Sequence, residues 1–307
     1  MLHIKSLVAE RVREGGCLIL NADDELLARL AEEPAIKKVS KQIVYFSLRP
    51  NHILLRKHVL AGGTAYTVKS GWIVEISPDG EFRLGDVGEI PATINGMAEF
   101  NVANSLAAIA ACRAQGLTAE QIFAALTKFH NTEHNQGRLN LYKANGGYVL
   151  VDYGHNPEAI KSVCRMAANW DNGIRRVTGI VTAPGDRDND LIEQVGQVAA
   201  QGFNRIVIRE DADLRGRAKG EIAQLLYETI KTEAPELDCQ IILNEDEALR
   251  REITRLREGD VVVCFYEDFE VIRKILEKCD AEPVHEIERT VAGFAGKARY
   301  ASPLKIA

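Results

Sequence analysis

The sequence predicts an α/β protein: a doubly wound C-terminal domain on a parallel sheet, preceded by a segment of α+β character. Two observations carry this. From about residue 140, short apolar runs alternate with amphipathic stretches, and charged loops follow several of the runs. Before residue 130 the order differs: one strand and helix, then short β segments, then two helices.

In the C-terminal half the strand candidates are 148–152, 176–182 (RVTGIVT), 205–209 (RIVIR), 239–243 (CQIIL) and 260–265 (DVVVCF). Helical stretches fall near 157–169, 190–201, 217–231, 245–257 and 268–278. Strand–helix–strand at this spacing means right-handed crossovers and a parallel sheet covered on both faces.

In the N-terminal half, GGCLILNADDELLARLAEE reads as a strand, a turn and a helix capped by Asp23 or Asp24. Residues 43–90 read as short β segments with turns at KSGW and SPDG. A helix follows from Asn101 to Gln115, with its stripe at Val102, Leu106 and Ile109. The next helix opens on the capping-box pair Thr118 and Gln121 and buries Ile122, Leu126 and Phe129. The polar stretch HNTEHNQGR (130–138) reads as a hinge. The expected domains are 1–131 and 132–280, with a patternless tail over 281–307.

Composition narrows the function classes. At 307 residues, 46% hydrophobic and 27% charged, the chain has the makeup of a globular protein with a substantial core. A net charge of −6 argues against nucleic-acid or membrane-surface binding, which favour basic patches. No apolar run approaches the roughly 20 residues of a membrane span, and no signal-peptide core opens the chain, so a cytoplasmic setting is expected. Six scattered cysteines (17, 112, 164, 239, 264, 279) form no C-x-x-C pair and read as reduced core thiols, not metal ligands.

Ligands of open parallel sheets bind outside the carboxyl ends of the strands. Three such ends carry Asp152 and His155, then APGDRDND with Asp186, Arg187 and Asp188, then EDADLRGR with Asp211, Arg215 and Arg217. These mixed charges suit a polar, anionic or zwitterionic ligand, with arginines for carboxylate or phosphate. Each residue also has an ordinary reading, since Asp and Asn at strand ends cap helices and loop arginines are usually solvated. Asn156-Pro157-Glu158 is an N-cap, a proline at the first helical position and a first-turn acid, and needs no function. His155 is either a loop-fixing hydrogen bond or a ligand contact. Asp152 is the stronger functional candidate, because a carboxylate closing a buried strand must find a partner.

GRLNLYKANGGYVLVDYGHNPEAI resembles the opening of the C-terminal domain of Mur ligases, where a G-R pair precedes a D-Y-x-H-x-P strand end. PGDRDND resembles that family's G-D-R-D loop, LILNADDELLARL its L-N-A-D-D segment, and EFNVANSLAAIAA its F-N-x-x-N-x-x-A-A helix. The four segments stand in the family's order between residues 17 and about 270. VIREDADLRGRAKGEIAQLL and FHNTEHNQGRLNLY look most like the cyanophycin synthetase subgroup. Those enzymes join an ATP-grasp domain to a Mur-ligase-like domain that adds arginine to an aspartate side chain through an acyl phosphate.

The resemblance implies a Rossmann-like C-terminal domain after a partial central, ATP-binding domain. It implies that Asn101 and Asn104 contact adenine, their i, i+3 spacing placing both on one helix face, although Asn101 also reads as a helix cap. It implies that Arg138 reaches the ribose and phosphates, and that Asp152 holds the ribose. The loops at 185–188 and 211–217 match the region that receives the incoming amino acid, with His155, Asp186, Arg187, Asp188, Arg215 and Arg217 as substrate contacts.

The chain departs from the family at the phosphates. No G-x-x-x-x-G-K-S/T loop occurs, and AGKAR (295–299) lacks both the upstream glycine and the following hydroxyl. The central-domain magnesium segments and the ATP-grasp portion have no match either. The expected function is therefore part of an ATP- and Mg-dependent amide-forming ligase, inactive alone, that joins an amino acid (arginine first) to a carboxylate. The alternatives are a non-catalytic nucleotide- or amino-acid-binding or regulatory module, and a degenerate fragment. Unpaired strand edges make a P-loop-bearing partner chain or self-association a further expectation.

Overall fold

A computed structural model describes residues 2–170 and 173–285, which divide into two compact units, one closing at Lys128 and the other opening at Phe129.

The first unit opens with α1 (Leu2–Glu10), β1 (Cys17–Asn21), α2 (Glu25–Leu30), α3 (Pro34–Lys37), β2 (Gln42–Ser47), α4 (Ile53–Leu60) and β3 (Thr64–Lys69). It continues with β4 (Trp72–Ser77), β5 (Gly80–Asp86), α5 (Glu99–Ala114) and α6 (Ala119–Leu126). Its sheet runs β1-β2-β3-β4-β5, parallel through β3 and antiparallel beyond. Asp24 is the cap of α2, accepting from the amides of Leu26 and Leu27. Asp23 ties the ends of the first two strands, accepting from Ser47 Oγ and Leu48 N at 2.7 Å each.

The expected run of β segments over 43–90 is broken by α4, whose amide at Leu54 is capped by His52 Nδ1. A short apolar run such as ILLRKHVL fits a helix or a strand, and only its packing decides. The turn into β4 has Ser70 and Gly71 both at positive φ, the twist a tight hairpin needs. The Thr118–Gln121 capping box forms, and Val102, Leu106 and Ile109 are buried in one core with Ile122 and Phe123. Phe129, expected in that core, is 37% exposed, because α6 stops at Leu126.

The second unit comprises α7 (Asn131–His134), β6 (Asn140–Ala144), β7 (Gly147–Asp152), α8 (Pro157–Ala168), β8 (Arg176–Val181), α9 (Asn189–Gly202) and β9 (Arg205–Ile208). There follow α10 (Glu221–Glu233), β10 (Asp238–Ile241), α11 (Glu245–Arg255), β11 (Asp260–Phe265), α12 (Phe269–Lys278) and β12 (Glu282–Pro283). The strand order is β10-β9-β8-β11-β7-β6-β12. The five expected strands pair in parallel, with Phe265 opposite Asp152, Cys264 opposite Ile180 and Val181 opposite Ile208.

The sheet is nevertheless mixed, because β6 and β12 add antiparallel at the β7 edge. The hairpin between β6 and β7 turns on Asn145-Gly146, both at positive φ (49° and 84°), a pairing that the dipeptide itself signals. β12 also falls inside the expected patternless tail; residues 286–307 of that tail lie outside the described residues. One sheet face, with Val149, Val151, Ile180, Val207 and Val262, packs under Leu249, Ile253, Ile272 and Ile275 of α11 and α12. Period-2 alternation turns Leu150, Ile206, Ile208 and Val263, all 0% exposed, to the other face.

Helix α10 starts four residues later than its sequence pattern suggests. Loop 211–220 is held open by side chains: Glu210 accepts from the Gly220 amide, and Glu221 accepts from Ala218 N and Arg217 Nη1. Among the described residues no helix is long and apolar enough to cross a membrane. The six cysteines are unpaired, and burial pushes the Cys164 thiol up to about 12. Because the second unit carries its own sheet and core, residues 129–285 expressed alone should unfold in one cooperative thermal transition. A broad, aggregating melt would contradict an independent unit.

Candidate functional site

The carboxyl ends of the second sheet gather most of the sequence-predicted site residues. Helices α8 to α10 carry the chain away from β7, β8 and β9 on one face, whereas α12 leaves β11 on the other. The loops after β8 and β11 therefore diverge between adjacent strands, the kind of switch point where open α/β sheets bind ligands. The Thr182 hydroxyl, buried just past β8, has no hydrogen-bond partner among the described residues.

Asp152, the last residue of β7, is 8% exposed. Its Oδ2 accepts the Leu139 amide at 2.9 Å, with Leu139 held at a φ of 50°. Burial pushes its carboxyl above the ordinary value, and the Leu139 amide, the Arg138 charge, the Gly154 amide and His155 pull it partly back. The Arg138 guanidinium lies 4.7 Å over the Tyr153 ring. The Tyr153 ring stands 5.6 Å from that of Tyr266, whose hydroxyl donates to Gly137 O at 3.0 Å. Gly137 has φ 78°, and a Cβ there would sit 1.9 Å from the Tyr266 hydroxyl, so glycine is required. His155 Nδ1 hydrogen-bonds to Tyr153 O at 3.0 Å, the loop-fixing role.

The loops after β8 and β9 meet, with Gly185 so close that a Cβ would lie 2.3 Å from Leu214 O. Arg215 Nη1 donates to Asp186 Oδ1 at 3.0 Å, and Arg187 Nε is 3.9 Å from the same oxygen. Desolvation, the largest single cause, raises the Asp186 carboxyl, but the Arg215 hydrogen bond, the two arginine charges and its own backbone amide together outweigh it and hold the group below its ordinary value. Asp188 and Arg217 serve the fold. Asp188 caps α9 through the Leu191 amide. Arg217 straps the loop, donating to Gly185 O at 3.2 Å and to Arg187 O and Glu221 at 2.8 Å each.

Asn101 and Asn104 belong to the first unit and share one face of α5, with Asn104 Nδ2 donating to Asn101 Oδ1 at 3.3 Å. Asn101 is not the helix cap, since α5 begins at Glu99; its Nδ2 donates instead to Ala92 O at 2.7 Å. The sequence reading missed Tyr153 and Tyr266. Their signal was present, each being an aromatic within one residue of a strand's carboxyl end, in VDYGH and CFYED.

Residues 137–265 match the family described as Mur ligase, glutamate ligase domain. A cyanophycin synthetase from Synechocystis sp. is 39% identical over 269 residues, which is 87% of this chain and 30% of that protein. A UDP-N-acetylmuramoyl-L-alanyl-D-glutamate–2,6-diaminopimelate ligase from Thermosynechococcus vestitus is 26% identical over 253 residues, 76% of this chain and 48% of that one. Among solved structures, a bifunctional folylpolyglutamate synthase/dihydrofolate synthase from Yersinia pestis, complexed with AMPPNP and a Mn ion, aligns with a TM-score of 0.59. That alignment has 16% identity and covers 90% of this chain and 56% of that one, a likeness of fold.

The buried Asp152 carboxylate can accept from a hydroxyl, and the Arg138 charge acts on it, while the Arg138 guanidinium makes no side-chain hydrogen bond among the described residues. The sequence offers no phosphate-binding glycine loop. Among the described residues, no three His, Cys, Asp or Glu side chains are arranged to hold a cation. Residues 137–265 thus belong to the Mur ligase glutamate ligase domain family, and the chain that carries them is similar to cyanophycin synthetase and to Mur ligases.

Proposed function

We propose that this chain is the amino-acid-receiving part of an ATP-dependent ligase that joins an amino acid, arginine first, to a carboxylate through an acyl phosphate. The observation that carries this reading is the buried Asp152 beside Arg138 and Tyr153, inside the segment that matches the Mur ligase domain. Asp152 and Arg138 bind the nucleoside end of the nucleotide. Asp186, Arg187 and Arg215 supply both signs of charge for a zwitterion, with His155 fixing the neighbouring loop. Phosphoryl transfer needs charge neutralised at the γ-phosphate by a cation, a lysine and backbone amides, and this chain contributes none of these in a recognisable motif. The proposal therefore includes inactivity alone, and a P-loop-bearing partner that supplies ATP and Mg contacts. Among the described residues, the outer edges of β1 and β10 pair with no strand, which makes them candidate docking or self-association strands. Six unpaired thiols support a cytoplasmic setting.

A non-catalytic binding module is the second reading, favoured by Asp188 and Arg217 being occupied in the fold. Titration of the labelled chain with arginine, lysine and glutamate at millimolar concentrations, alongside an ATP-turnover assay, separates these readings. The expected result is shifts at 185–187 and 213–215 for arginine above the others, with no turnover until a P-loop-bearing half is added. Equal responses to all three amino acids would remove the specific site, and arginine-dependent turnover by the chain alone would overturn the proposed inactivity.

A further inference from the structure

Arg209, one residue beyond β9, is 1% exposed and heads the fully buried side chains by size among the described residues. Its Nε and Nη2 donate to Phe265 O, at 3.1 and 3.0 Å, across the carboxyl end of β8. Nη1 donates to Asp211 Oδ1 at 2.6 Å, and Nε lies 3.1 Å from Glu245 Oε1. The same Glu245 oxygen accepts the Glu267 amide at 3.1 Å. The Glu267 carboxylate accepts from Ala212 N at 2.6 Å and Asp213 N at 3.4 Å. Loops leaving three strands thus converge on one guanidinium.

A buried arginine is a costly way to fill space, since apolar residues of similar volume often replace buried ion pairs without loss. Its planar fork of donors can, however, hold several acceptors at fixed angles, as no aliphatic side chain can. The acceptors held here flank both clusters already described. Phe265 precedes Tyr266, which bonds Gly137 next to Arg138. Asp211 and Glu267 fix the loop whose Asp213 accepts from Arg215 N, and Arg215 then pairs with Asp186.

We propose that Arg209 is a positioning residue: one anchor that sets the Arg138–Asp152 cluster through Phe265 and Tyr266, and the Arg215–Asp186 pair through Asp211 and Glu267. That the two clusters bind ligands rests on the function proposed above; the anchoring itself is testable without ligand. Hydrogen exchange of the full chain is compared between wild type and Arg209→Met. The expected result is exchange faster by about tenfold at 137–139 and at 212–217 together, with the amides inside β7 and β8 unchanged. An increase at only one of these segments, or a uniform increase through the strands, would overturn the proposal. Glu267→Ala provides a milder variant should the first fail to fold. It leaves the Arg209–Phe265 bonds in place, so 212–217 should loosen while 137–139 keeps its protection; loosening of both would place the link elsewhere and refute the anchor. Binding of ATP and of arginine is measured on the same proteins. A wild type that binds neither defeats the functional reading and leaves the exchange result standing.

Discussion

Glu252→Ala should cost the second unit about 3–5 kcal/mol, the loss expected when one partner of a buried ion pair is removed. Glu252 on α11 is 3% exposed and accepts from Arg205 Nε at 3.2 Å and from Arg205 Nη2 at 3.4 Å. Arg255 Nη1 adds a third bond at 3.3 Å. Arg205 is itself only 7% exposed, and without Glu252 its partner among the described residues is Asp238, whose side chain is 64% exposed. An uncompensated guanidinium under a helix is expensive, whereas removing both charges together is not. The double change Arg205→Met/Glu252→Leu should therefore recover most of the loss. The chain has two tryptophans, one in each unit, and Trp170 is 4% exposed in the second. Urea unfolding followed by fluorescence in a Trp72→Phe background thus reports on the unit concerned. A loss below about 1 kcal/mol would rank the pair with surface salt bridges and defeat the argument.

Strands β7, β8, β9 and β11 were legible because central strands of a parallel sheet are buried on both faces and read as unbroken β-branched runs. Edge elements lack that signature. In β6, Asn140 is wholly buried yet polar, because it accepts the Gly137 amide and donates to Asn135 O and Arg138 O. An apolar-run search passes over such a strand. Helix α4 was lost for the converse reason, its eight residues being too few to display a helical period.

Within the site the limit lies in side-chain partners. Asp152 could be singled out because a carboxylate ends an apolar run. Asp186 and Asp188 stand two residues apart in the same loop and look alike in sequence, yet one meets an exposed arginine and the other caps a helix. Arg209 looks like a charge at a strand's end, and only the path of its side chain across β8 to Phe265 O reveals it as buried.

Asp152→Asn should abolish the nucleotide binding proposed above while changing how stability depends on pH. The folded carboxyl is raised above its ordinary value of 3.8, chiefly by burial. The native state therefore holds this proton to higher pH than the unfolded chain does. Its stabilising contribution is complete below the ordinary carboxylate value and is lost as pH rises through the raised folded value. An asparagine has no such proton, so its stability curve should lack this decline while other titrations cancel in the comparison. On the proposed function, binding runs the opposite way, because a ribose hydroxyl would donate to the charged form. Wild-type affinity for ADP should rise with pH across the same window. A hydrogen bond to a charged acceptor is worth about 1.5–3 kcal/mol, or about 10- to 150-fold in affinity. On that reading, with Arg138 as the phosphate contact among the described residues, the change reads as loss of saturable binding at millimolar ADP. Calorimetric titration and urea melts from acid to neutral pH supply both measurements. Parallel stability curves for the two proteins, or affinities within about twofold of each other, would mean that Asp152 serves only to seat the Leu139 amide.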